Sequence, residues 1–167
     1  MDISYLGKAN FKIKTKLGVV TTDADSVAVA HKGESGTGFV IREPGEYEIE
    51  GISVFGYSAG ESVVYVIQAE DLRVLHLGSL GKAPSEQVTA DLENIDVVLV
   101  PTETLGAKEA VELMGKLEPY YVLPYGEGSA KFVSSFDHGS RSVKSLSLSK
   151  LSLPEDLTEV IVFDDKI

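Results

Sequence analysis

The sequence predicts an α/β domain of two packed β-sheets with helices on the outside, and three observations carry that prediction. Short runs rich in Val, Ile, Tyr and Thr, separated by Gly, Lys and Asp, fill the first half of the chain. Helical spacing begins only after Gly81. The clearest helical segment lies between two nearly continuous apolar runs, IDVVLVP and YYVLPYG, which suit strands covered on both faces. Many strands followed by strand–helix units indicate two layers of sheet rather than a bundle.

In order, ISYLG, FKIKT, GVVTT and SVAVAH read as strands. FKIKT alternates apolar and basic residues, so one face is buried and the other wet. FVI follows a Gly-rich loop. EPGEYEIEGISVFGYS reads as a hairpin entered at Pro44-Gly45, with its tip at Glu50-Gly51. SVVYVIQAEDLRVLHLG reads as a second hairpin, turning near Glu70-Asp71. PSEQVTADLENI then places Val88, Leu92 and Ile95 at helical spacing. AKEAVELMGKLEP does so more clearly, with Ala107, Ala110, Val111, Met114 and Leu117 on one face and Pro119 as the stop. Asp96 to Gly126 is therefore a strand, a crossover helix and a parallel strand, with right-handed connection. KFVSSF is a candidate short helix. SLSLSKLSL, with its alternating Leu and Ser, suits an exposed edge strand, and TEVIVFDD closes the fold. There is no internal repeat and no linker, so residues 1–167 are expected to form one domain.

Composition narrows the function. The formal net charge of -11, with no Lys/Arg stripe to offset it, argues against nucleic acid as a partner. No apolar run approaches the length of a membrane span, and MDISYLGKANF lacks the basic start and apolar stretch of a signal peptide, so a cytoplasmic protein is expected. There is no cysteine, which excludes disulfides, thiolate zinc sites and cysteine nucleophiles. His31, His76 and His138 are the only histidines.

Taken in order, these segments resemble the metallo-β-lactamase superfamily, in its small bacterial Zn-dependent hydrolase-like branch. ISYLG followed by FKIK is similar to opening strands that read YLGHSCF-I, and GVVTTD to a "vvtDP" strand, with Asp23 at the Asp position. FVIREPGEYEIEGISVFG is close to FVIxGPGEYEIxGVxVxG, and LRVLHLGSLG to LRVxHLGDLG. The stretch from IDVVLVP to YYVLPYG resembles the family's later strand–helix–strand unit. The resemblance spans nearly the whole chain. It implies a four-layer αββα sandwich, here shortened, with an active site at one sheet edge. It also implies zinc held by an H-x-H-x-D-H loop, a later His, a bridging Asp and a final His. Such zinc polarises a carbonyl or phosphoryl oxygen and supplies hydroxide.

Carried onto this chain, those positions are mostly emptied of ligands. The H-x-H-x-D-H loop falls on HKGESG, so that His31 matches while Gly33, Ser35 and Gly36 replace the second His, the Asp and the last His. The middle His falls near Ser58, the bridging Asp at Ser79, the final His at Gly126 and the opening His at Lys8. One imidazole is too few donors for zinc, and a lysine ammonium beside the site opposes a divalent cation. The expectation is a former-site pocket lined by Lys8, His31, Gly33, Ser35, Gly36, Ser58, His76, Ser79 and Gly126. It has no catalytic residue, no metal ligand set and no cofactor, where the family uses zinc. The role expected is binding or scaffolding, with an unknown small molecule or protein as partner, no nucleic acid and no membrane; an oligomer through the SLSLSKLSL edge is possible. The alternative is a metal-dependent hydrolase of the lactone or phosphodiester class with an altered metal site.

Other residues have plainer readings. His76 is structural or pocket-lining, and His138 a surface loop residue. Glu34 and Glu127 would face each other across the old site, though solvated loop carboxylates are commoner. HLGSLG lacks the G-x-S-x-G spacing of a nucleophile elbow. GESGTG is followed by strand rather than helix, so it is no phosphate loop. Tyr121 and Tyr125 are candidates to line the vacated pocket.

Overall fold

The computed structural model describes residues 1–34, 36 and 38–164, and in them the two-sheet reading holds. Six strands form an antiparallel first sheet in the order β13-β1-β2-β3-β4-β5. Its members are β1 (Asp2–Gly7), β2 (Asn10–Lys14), β3 (Gly18–Asp23), β4 (Ser26–His31), β5 (Phe39–Ile41) and β13 (Leu146–Ser147). The second sheet has eight strands in the order β12-β14-β11-β10-β9-β8-β7-β6. A meander supplies one half: β6 (Gly45–Ile49), β7 (Ile52–Ala59), β8 (Ser62–Ala69) and β9 (Leu72–His76). The other half is parallel: β10 (Val97–Pro101), β11 (Tyr121–Tyr125), β14 (Glu159–Phe163) and β12 (Ser140–Val143).

The hairpin tips follow the residues proposed for them. Glu50 and Gly51 both have positive φ (54° and 79°), as do Glu70 and Asp71 (53° and 62°). Two consecutive positive-φ residues make the turn whose twist matches the flanking strands. The helix α2 (Ala107–Leu117) crosses between β10 and β11, whose register runs from Val97 opposite Tyr121 to Pro101 opposite Tyr125. Its inward stripe is Ala110, Leu113 and Met114, with Val111 and Leu117 only partly buried. The expected stripe is thus shifted toward Leu113, which shares a face with Ala110 at a spacing of three.

Two segments differ from expectation. α1 (Glu86–Asp91) is a short helix started by Ser85, whose hydroxyl accepts the Val88 N–H at 3.2 Å. Leu92 and Ile95 are buried beyond its end. The Ser-rich stretch is not one edge strand. Within SLSLSKLSL only β13 is strand, lying at the edge of the first sheet as expected, and a single 3-10 turn follows at Lys150–Ser152; β12, just before this stretch, is the edge of the second sheet. The turn is fixed by Lys150, whose ammonium reaches the buried Asp96 carboxylate at 3.0 Å. A capping box between Ser149 and Ser152 closes the same turn. α3 (Ser129–Ser135) covers the KFVSSF candidate.

Two cores result. One lies between the sheets and includes Ile3, Phe11, Ile13, Val20, Ile52, Val74 and Leu123. The other lies between the eight-stranded sheet and the helices, with Leu75, Val98, Met114 and Phe132. The four-layer arrangement is shortened on the side of the six-stranded sheet, where no helix is described.

Candidate functional site

The parallel half of the second sheet decides where a site can form. β9, β10 and β11 run the same way, so their carboxyl ends meet at one end of the sandwich. Crevices outside such ends are the usual ligand positions in α/β folds. The first sheet contributes two turns at this end, around Lys8-Ala9 and Asp23-Ala24. Together they enclose a cavity of about 450 Å3. Ala9, Gly78, Pro101 and Tyr125 give it an apolar floor, while Lys8, Asp23, Ser79, Glu103, Thr104 and Glu127 supply the polar groups.

The two sheets are latched beneath the cavity. Thr22, buried, accepts the Phe11 N–H at 2.9 Å and donates to the Ala9 carbonyl at 2.7 Å, which fixes the turn carrying Lys8. His76 is fully buried, and its Nε2–H donates to the Asp23 carbonyl at 2.7 Å. Burial pushes this imidazole down to about 4, so it is neutral at pH 7 and holds its proton on Nε2. Its Nδ1 is buried without a hydrogen-bond partner. The Tyr125 hydroxyl donates to the Gly78 carbonyl, and its ring packs edge-on against Phe11 at 5.3 Å. Burial, with Tyr5 nearby, drives the Tyr125 phenol well above its ordinary range. Tyr65, pushed up to about 12 chiefly by burial, reaches the Asp25 carbonyl from β8. His76 and Tyr65 therefore act as neutral struts between the sheets, while Tyr125 ties β11 to the turn after β9 and crosses to the first sheet only through its ring on Phe11.

Gly126 and Glu103 make the most specific contact in the cavity wall. Gly126 has φ +97°, and a Cβ there would lie 2.8 Å from Glu103 Cγ. The Glu103 side chain thus occupies the space a side chain at 126 would need. Its carboxylate accepts the Glu127 N–H at 3.0 Å, which holds it across Gly126.

Of the residues expected in the pocket, Lys8, Ser79 and Gly126 line this one cavity, and His76 lies buried next to its floor. Ser58 is exposed at the same end of the sheet on β7, two strands from β9, and outside the cavity lining. His31 is elsewhere. β3 and β4 are joined by a tight turn and pair antiparallel, with Asp23 opposite Ser26 and Gly18 opposite His31. The length of β4, roughly 17 Å for its six residues, therefore separates His31 from Asp23. At that far end His31 Nδ1 lies 3.0 Å from Glu50 Oε2, at the tip of the β6–β7 hairpin, and Glu34 accepts the His31 N–H. Gly33 and Gly36 follow His31 in the loop there, with no heavy atom within 4 Å of a Cβ at either. Ser35 lies outside the described residues. Glu34 and Glu127 consequently sit at opposite ends and do not face one another. Tyr121 is buried between the sheets rather than in the cavity wall. The His138 ring lies tilted against Phe136, with centroids 4.2 Å apart.

Sequence reasoning missed Glu103 and Thr104. Both come within three residues of the end of the apolar run VVLVP, and the residues just beyond the carboxyl end of a parallel strand are where such a site collects its polar groups.

Zinc does not fit the donors present. It needs three or four nitrogen, sulfur or oxygen donors converging at about 2 Å. Among the described residues no three His, Asp or Glu side chains come together in that way. Lys8 offers a like charge, Ser79 and Gly126 offer no imidazole or carboxylate, and the one nearby ring spends Nε2 on a backbone carbonyl.

A family model described as "Beta-lactamase superfamily domain" matches residues 19–126. The chain belongs to that superfamily. No curated protein matches it. A crystal structure from Thermotoga maritima, assigned as a Zn-dependent hydrolase of the metallo-β-lactamase superfamily, is similar with a TM-score of 0.75 and 24% identity. That similarity covers 98% of this chain and 100% of that one. A structure from Parabacteroides distasonis, assigned as a metal-dependent hydrolase, gives a TM-score of 0.58 at 13% identity over 92% of this chain and 97% of the other. At these identities the likeness concerns the fold. No described helix is long and apolar enough to cross a membrane.

Proposed function

We propose that this member of the β-lactamase superfamily is a metal-free binding protein that uses the end-of-sandwich cavity for a small molecule and performs no hydrolysis there. The observation that carries this reading is the chemistry of the cavity wall. Where metal-dependent relatives would need converging imidazoles, this chain presents an ammonium, a hydroxyl and a glycine whose space Glu103 fills. The volume of about 450 Å3 and the apolar floor suit a small organic molecule. The latched struts beneath support the reading too, because a preorganised floor lowers the ordering cost of binding.

A second reading is favoured by a different observation. Asp23, Glu103 and Glu127 all line the cavity, although they do not converge as a ready ligand set, and carboxylates suit hard cations better than zinc. On that reading the protein is a hydrolase of lactones or phosphodiesters with an altered metal. The test is elemental analysis of protein purified without chelators, followed by lactonase and phosphodiesterase assays with added Zn2+, Mn2+ and Mg2+. The binding reading expects well under one metal per chain and no turnover. Stoichiometric metal with metal-dependent turnover would overturn it in favour of the second.

A further inference from the structure

The cavity does not end at Glu103. A second cavity of about 700 Å3 lies on the other side of it, and both are lined by Lys8, Glu103, Gly126 and Glu127. The second is mainly apolar, walled by Tyr5, Val133, Val162 and Phe163. The Glu103 side chain, laid across Gly126 and held by the Glu127 N–H, is therefore a partition between two arms of one groove. One arm is polar, with Asp23, Ser79 and Thr104; the other is apolar.

The charges at the junction are unequal. Glu103 and Glu127 face it together with Lys8, and Asp23 adds a third carboxylate in the polar arm. Three carboxylates against one ammonium leave the groove negative, on a chain whose formal net charge is -11. A cleft with low-dielectric walls focuses such a field and draws in ligands of opposite charge. Two aromatic side chains, Tyr5 and Phe163, also line the groove, and an aromatic lining favours a cation further.

We propose that this groove binds an amphiphilic organic cation: an apolar body lying against Tyr5, Val133 and Phe163, ending in an ammonium held between Glu103 and Glu127. The inference rests on the metal-free reading of the cavity and adds to it the chemical class of the ligand. Lys8 lines both arms as well and sets a limit. A ligand with an adjacent carboxylate satisfies it, whereas a second ammonium is repelled.

The test uses three probes of one shape, measured on the full chain by calorimetry at low ionic strength and by chemical-shift mapping. Phenethylamine carries the ammonium, phenethyl alcohol is neutral and hydrocinnamate is the anion. The amine is expected to bind at least tenfold more tightly than the alcohol, to weaken with added salt, and to shift the Val133 methyl and Phe163 ring signals. Hydrocinnamate is expected to bind no better than the alcohol. The double variant Glu103→Gln, Glu127→Gln should remove the advantage of the amine and leave the alcohol unchanged, because the amide oxygen introduced at position 103 can still accept the backbone N–H of residue 127. Val133→Ser should weaken amine and alcohol alike. Tightest binding by the anion in metal-free protein would overturn the ligand class alone. Binding of none of the three, or shifts confined to other surfaces, would overturn the groove as their site. Stoichiometric metal in the purified protein would overturn the functional reading instead, so the two failures are distinct.

Discussion

The two ends of the sandwich carry opposite halves of the family pattern. At one end lie Lys8, Asp23, Ser79 and Gly126, packed around a cavity and joined by His76, Tyr65 and Tyr125. At the other lies His31, more than half exposed and paired with Glu50 on the surface. One strand, β4, connects the ends. Its first residue pairs with Asp23 and its last with Gly18, because only Ala24 and Asp25 separate it from β3. A turn that short makes antiparallel neighbours, since a parallel pair needs a crossover of a dozen or more residues. Matching a motif residue by residue therefore transfers its chemistry only if the direction of the strand transfers as well.

If the cavity end is tightly latched and the His31 end is not, substitutions at matched positions should have very different costs. Gly78→Ala is expected to have the largest effect. Its φ is +60°, and its Cβ would lie 2.5 Å from the Ala24 carbonyl oxygen, so the β3–β4 turn must move; the loss should be about 4 kcal/mol in urea denaturation.

Next comes pH. The His76 pKa falls from 6.5 in the unfolded chain to about 4 in the fold, so the unfolded state takes up a proton first as pH drops. The contribution is fully present above about pH 6.5 and is lost between there and pH 4, amounting to about 3 kcal/mol. Equilibrium unfolding across that range should give a slope that His76→Phe flattens. A slope unchanged in the variant would place the titrating group elsewhere.

At the other end the effects should be small. Gly33→Ala has φ +82° but open space around the new Cβ, so only backbone strain remains, about 1 kcal/mol. His31→Ala, which removes an exposed pair with Glu50, should change stability by less than about 0.5 kcal/mol. A large loss from either would contradict the contrast between the ends.

The layers were legible in the sequence because they rest on periodicity. The apolar runs of β10 and β11, the α2 stripe and the two-residue hairpin tips each announce themselves locally. Three of the proposed pocket residues were legible as well, since Lys8, Ser79 and Gly126 each follow a strand that ends at the cavity. His31 and Ser58 were placed by analogy along the chain, and nothing local reveals which end of a sheet a strand finishes at. Glu103 escaped notice because its importance lies in a contact with Gly126, twenty-three positions away. The split of the Ser-rich segment was hidden for a similar reason: Lys150 is anchored by Asp96, far off in sequence.

The placement of His31 is the claim on which the rest depends, and a distance tests it most directly. The chain has no cysteine, so spin labels at Lys32→Cys and Glu127→Cys report one pair only. With β3 and β4 antiparallel, the interlabel distance by pulsed dipolar spectroscopy should peak beyond about 20 Å, given a strand rise of about 3.3 Å per residue. A dominant distance below about 12 Å would bring the HKGESG loop to the cavity and contradict the account.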